Sequence, residues 1–121
     1  MVQEASITYR GSLADTIRVL TTGYGCNEAD LAEIFDVTRR TMTRWKDQNA
    51  ALSRAKQDLV RILVDLLALG HEVIGSDIEV KLWFHSPVHA LEGQKPIDVI
   101  KTESGRRRVE SVLHQLEAGV Y

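Results

Sequence analysis

The sequence is short of the residues that hold small proteins together by chemistry rather than by packing. It has one cysteine, Cys26, so no intrachain disulfide can close, and a lone thiol points to a reducing cytoplasm. A zinc framework is missing too. Of the four histidines, His71, His85, His89 and His114, only His85 and His89 have ligand-like spacing, and Pro87 lies between them and breaks the helical face they would need. No apolar run is long enough to cross a bilayer, because the longest, Ile62 to Leu69, is interrupted by Asp65. The first ten residues carry Glu4 and no apolar core, so a signal peptide is not expected. Gly23-Tyr24-Gly25 lacks the lysine and the spacing of a phosphate loop, and Cys26 beside it has no cue to an activating base. Catalysis, a cofactor and a resident metal are therefore not expected. No stretch alternates long enough for a strand, and no internal repeat is visible.

What remains is helical. The chain has 121 residues, 44% of them hydrophobic and 26% charged, a balance that gives disorder no support and provides a core without staples. Formal net charge is -2, which at first argues against a nucleic-acid partner. The average hides a pattern. From Met1 to Phe35 the balance is -3 and from Gln57 to Tyr121 it is again -3, whereas Asp36 to Lys56 carries six cations against two acids, or +4. An acidic protein thus holds one basic island, whose local potential the whole-chain number conceals.

Capping residues and apolar spacing place the helices. Ser12 caps a first helix, Leu13 to Thr21, with Gly23 to stop it, and residues 21–27 form a loop. Asn27 caps a second, Glu28 to Phe35, with Leu31, Ile34 and Phe35 inward. After Asp36-Val37, Thr38 caps a third that runs to about Lys46, with Met42 and Trp45 inward. Residues 48–53 are a polar connection, which divides the chain into modules 1–50 and 51–121. From about Leu52 to Val73 the pattern predicts a long helix on which Leu59, Ile62, Leu63, Leu66 and Leu69 are joined by Val60, Val64 and Leu67. Such an arc is wider than one core contact requires, so this helix is either central to the fold or buries a second face in another chain. Gly70 and Gly75 loosen its end. Ser76-x-x-Glu79 has the capping-box spacing and opens a helix to about His85. Pro96 starts a short helix to about Lys101, and Thr102 or Ser104 caps a last one to Ala118.

Two short helices across a tight turn, the second basic on its outer face, form the helix-turn-helix pattern. Residues 27–45 resemble the helix-turn-helix of the Xre (Cro/repressor-like) family. Ala32 matches the small residue at the helix crossing, and Leu31, Phe35, Val37, Met42 and Trp45 match core positions. Asp36 departs from the glycine usual at the turn, a mild strain cost for a residue that tolerates a left-handed backbone. The side chains placed on DNA are Thr38, Arg39, Arg40, Thr41, Thr43, Arg44 and Lys46.

The C-terminal half carries a second resemblance. Trp83, the Pro87-x3-Leu91-x-Gly93-x2-Pro96 spacing, Asp98, Thr102, Gly105, Val109, Leu113 and Gly119-Val120-Tyr121 resemble the toxin-binding domain of the MbcA/ParS/Xre antitoxins. Taken singly each has a structural reason: Gly93 and Pro96 suit a tight loop before a helix, and Leu91 can anchor that loop. The resemblance implies an all-α antitoxin with an Xre-like module followed by a small helical toxin-binding module. It implies a homodimer that holds a RES-domain, NAD-consuming toxin inactive and represses its own operon on operator DNA. The toxin-contacting residues it implies are Arg106, Arg107, Gly119, Val120 and Tyr121. From the residues alone two other readings stay open: a stand-alone helix-turn-helix regulator whose C-terminal half dimerises or senses a ligand, and a scaffold that has lost DNA contact.

Overall fold

The structure is a computed structural model and describes residues 12–48 and 50–119. Among these the chain is helical throughout, without strands, and falls into two compact units, one running to Asp65 and one from Leu66. The division lies inside the long helix rather than in the connection at 48–53, because the first part of that helix helps to close the core of the first unit.

In the first unit, α1 (Leu13–Tyr24) and α2 (Glu28–Phe35) brace α3 (Arg39–Asp47), and the opening turns of α4 (Arg54–Val73) complete the unit. Each N-terminus is capped by the residue that the sequence indicates. Ser12 accepts from Asp15, Asn27 from Asp30 and Thr38 from Thr41, and Asp30 returns the bond to the Asn27 backbone in a capping box. These bonds satisfy amides that have no partner inside a helix.

α1 is longer than the glycines suggest. Gly23 lies inside it, and Gly25, at φ 66°, closes it with its N–H turned back to Thr21 and Thr22. The reason is Tyr24, which is fully buried and donates its hydroxyl to the Leu63 carbonyl of α4. That added turn is worth more to the core than an earlier stop. At the α2–α3 turn Asp36 does adopt the left-handed conformation, φ 57°, and Lys56 of α4 donates to the Phe35 carbonyl at the end of α2. Phe35 and Trp45 meet edge to face, with ring centroids 5.6 Å apart, and lock α3 to α2.

The stripe expected on α4 is displaced. Val60, Leu63, Val64, Leu66 and Leu67 are buried, Leu59 and Leu69 are only half-buried, and Ile62 points outward at 47% exposure. Five of the eight arc residues are thus buried within this chain, and Leu59, Ile62 and Leu69 keep exposed surface. Gly70 does not loosen the helix either. It faces Val80 and Phe84, whose atoms lie 3.5 and 3.6 Å from where a Cβ would stand, and lets α5 approach.

In the second unit, α5 (Asp77–Phe84) opens with the Ser76–Glu79 capping box. A 3-10 turn at His89–Leu91, not anticipated in the loop, follows it and is held by Leu91 and Gly93 amides on the Val88 carbonyl. Glu92 and Gly93, both at positive φ, then turn the chain into α6 (Pro96–Val99). Thr102, not Ser104, caps α7 (Glu103–Glu117), accepting from Gly105. Leu91, Ile100, Val109 and Leu113 are fully buried at the centre of this unit.

Candidate nucleic-acid interface and the C-terminal unit

Helix α3 buries Met42 and Trp45 and turns its remaining side chains outward. The seven residues expected on DNA are therefore on one short element, but their side chains are not equivalent. Thr38 is spent on the cap: its hydroxyl accepts from the Thr41 amide at 3.1 Å and donates to the Thr41 hydroxyl, also at 3.1 Å. Thr41 is half-buried. Lys46 is ion-paired with Glu28 of α2 at 2.7 Å, and that carboxylate holds its ammonium above the usual lysine range. Arg39, Arg40, Thr43 and Arg44 are exposed, and no hydrogen bond or ion pair to a described residue holds their side chains. A shallow cleft of about 490 Å³ runs over this surface, lined by Arg40, Thr41, Thr43, Arg44, Asp47 and Gln48.

The other arginine cluster behaves oppositely. Arg107 pairs with Glu103 at 2.8 Å, and Arg108 reaches Glu92 at 3.7 Å. Arg106 donates to the Ile100 carbonyl at 2.9 Å, its Nε is buried without a partner, and burial lowers the pKa of its guanidinium. A run of three cations is thus absorbed by the fold that carries it, whereas the α3 arginines are left for something else.

Of the toxin-contacting residues that the resemblance implies, the described ones, Arg106, Arg107 and Gly119, do not form one patch. Arg106 and Arg107 lie in the first turns of α7. Gly119, exposed at φ 72°, lies past the other end of that helix, about 20 Å away at 1.5 Å per residue. Val120 and Tyr121 are outside the described residues.

The structure also exposes a pair that the sequence reading passed over. Ile78 and Leu82, one turn apart on α5, are 70% and 62% exposed, while Val80 and Phe84 on the other side of the same helix are fully buried. The signal was present in the spacing, since 78/82 and 80/84 are two apolar pairs at i,i+4 on opposite faces of eight residues. Among the described residues no three His, Cys, Asp or Glu side chains gather as a metal site, and no helix is long and apolar enough to cross a membrane.

Three comparisons bear on this arrangement. Residues 69–119, nearly the whole second unit, match the antitoxin Xre/MbcA/ParS C-terminal toxin-binding domain. The mycobacterial cidal antitoxins MbcA of Mycobacterium tuberculosis and Mycobacterium bovis are 28% identical over 112 residues, which is 90% of this chain and 95% of theirs. A chain in the crystal structure of the M. tuberculosis MbcT–MbcA toxin–antitoxin complex superposes with a TM-score of 0.66 at 23% identity, covering 92% of this chain and 98% of that one. The last is a likeness of fold.

Proposed function

The chain belongs to the Xre/MbcA/ParS antitoxin family, and from that premise we propose that it binds and neutralises a RES-domain, NAD-consuming toxin and represses its own operon by binding operator DNA as a homodimer in the cytoplasm. The observation that carries the reading is the match of the second unit to a toxin-binding domain. That same unit leaves Ile78 and Leu82 uncovered. Two large aliphatic side chains side by side in water are a standing cost, relieved when a partner buries them. Arg106, Arg107 and Gly119-Val120-Tyr121 are the further toxin contacts in this reading. Nothing in it asks this chain for catalysis, so inhibition is by occupation of the toxin.

For the first unit the support is electrostatic. Cations held by no internal partner, on the second helix of a helix-turn-helix, are what phosphate and base-edge recognition require. Co-expression tests the reading. The adjoining reading frame should be toxic alone, and this chain should restore growth and co-purify with its product. A chain shortened by residues 119–121 should rescue poorly while melting at the parent temperature. If the adjoining product is harmless, or is toxic and never co-purifies, the antitoxin function is lost and the stand-alone regulator takes its place.

A further inference from the structure

The seven side chains proposed to meet DNA divide into two groups by what already holds them. We infer that Arg40, Thr43 and Arg44 read base edges, that Arg39 binds phosphate, and that Thr38, Thr41 and Lys46 position α3 without touching bases. This rests on the DNA-binding half of the function proposed above.

The division follows from geometry. Successive residues of a helix turn by about 100°, so Arg40, Thr43 and Arg44 share an arc of about 100° directly opposite the buried Met42 and Trp45. That arc faces the floor of a groove when the helix is laid into it. Arg39 lies at its flank, where the strand backbone rises. A guanidinium offers paired donors that match O6 and N7 of guanine, and a threonine methyl packs on the methyl of thymine. Arg40 and Arg44 are four residues apart, about 6 Å along the axis, which is on the order of two base-pair steps of 3.4 Å. The half-site should therefore carry two guanine contacts about two steps apart, with the Thr43 contact between them.

The second group is spent. The Thr38 hydroxyl already uses a donor and an acceptor at the cap, and Thr41 receives it. Lys46 already has its charge offset by Glu28 at 2.7 Å, and that carboxylate would repel any phosphate the ammonium approached. The pair ties α3 to α2 at its far end as Thr38 fixes the near end. It holds the reading helix at a set angle.

The experiment is selection from a pool of random-sequence duplexes on the full-length protein, followed by titration of the selected duplex at several salt concentrations. The parent should enrich one motif. Arg40→Ala and Arg44→Ala should each lose one guanine from it, with affinity for the parent motif falling roughly 5- to 150-fold. Arg39→Ala should keep the motif, bind every sequence more weakly, and lose about one unit of salt slope. Lys46→Met should keep both motif and slope but bind the parent motif several-fold more weakly, because α3 is less firmly held against α2. All four positions are exposed, so thermal midpoints near the parent's confirm that binding alone has changed. A parent that enriches no motif overturns the operator-binding function and this assignment together. A parent that enriches a motif which Arg40→Ala and Arg44→Ala still select, or a Lys46→Met slope lower by one, overturns the assignment and leaves operator binding standing.

Discussion

Replacing Gly105 by alanine should be among the most damaging single-methyl changes available in this protein. Gly105 lies in the first turn of α7, where its amide donates to the Thr102 cap at 3.0 Å. A Cβ built there would stand 1.7 Å from the Val99 carbonyl oxygen and 2.8 Å from the carbon behind it, when ordinary contact begins at 3.4 Å. The obstacle is backbone, so no rotamer change relieves it. Nor can α6 retreat easily: Ile97, Val99 and Ile100 are buried, and Arg106 grips the Ile100 carbonyl at 2.9 Å. Overpacking against yielding side chains costs about 1–3 kcal/mol, and an unyielding neighbour puts this site at about 3. Alanine returns about 1 kcal/mol as the better helix former, which leaves a net loss of about 2 kcal/mol. For a chain of this length that is a melting temperature lower by roughly 10 °C. Thermal and urea unfolding followed by far-UV circular dichroism measure it, with Ser104→Ala, an exposed change in the same turn, as the control. A Gly105→Ala midpoint within about 2 °C of the parent, at an unchanged urea slope, would refute the close-approach argument.

Two further changes probe the first unit. Asp36→Gly removes a side chain from a left-handed turn at φ 57°, which relieves about 1 kcal/mol of backbone strain and returns part of it as entropy of the unfolded chain. A rise of a few degrees in melting temperature is expected, and a fall would mean that the Asp36 side chain does something in place. Tyr24 gives the pH dependence. Burial, ahead of the nearby Cys26 and Asp65, pushes its phenol well above the usual 10.0. A folded pKa raised in this way favours the neutral, folded form, so its contribution is complete below pH 10 and is lost as pH rises through the folded value. Tyr24→Phe should cost about 1 kcal/mol at neutral pH through the lost bond to Leu63, and that deficit should shrink above pH 10. A deficit that stays constant from pH 8 to pH 11 would contradict it.

Much of this fold was legible because its helix starts are written in single residues. Ser12, Asn27, Thr38, Ser76 and Thr102 each announce a cap, and each side chain makes the bond. Helix ends were less legible. Gly23 and Gly25 are equivalent stops in the sequence, and only the distant Leu63 carbonyl, 39 residues on, decides for Gly25 by tethering Tyr24. The same limit displaced the stripe on α4, where both rows of apolar residues satisfy a helical period and only the neighbours choose between them. The candidate interface shows it most sharply. Composition places seven polar side chains on α3, but a charge count cannot tell a free arginine from a lysine already held by Glu28.

That distinction alters what the basic island can do. Of its six cations, Lys46 is paired with Glu28 and Lys56 is turned to the Phe35 carbonyl, which leaves Arg39, Arg40, Arg44 and Arg54. If Arg39 and Arg54 neutralise phosphates while Arg40 and Arg44 meet bases, the logarithm of affinity falls with that of salt at a slope of about -2 per chain. So small an electrostatic term, working against flanks of -3 on either side, holds one chain on DNA only weakly. Two chains on paired half-sites double the released counterions and make the second contact intramolecular. The acidic total therefore does not argue against an operator. Under the proposed function recognition would then depend on pairing, so that a change which separates the two chains should also release the DNA.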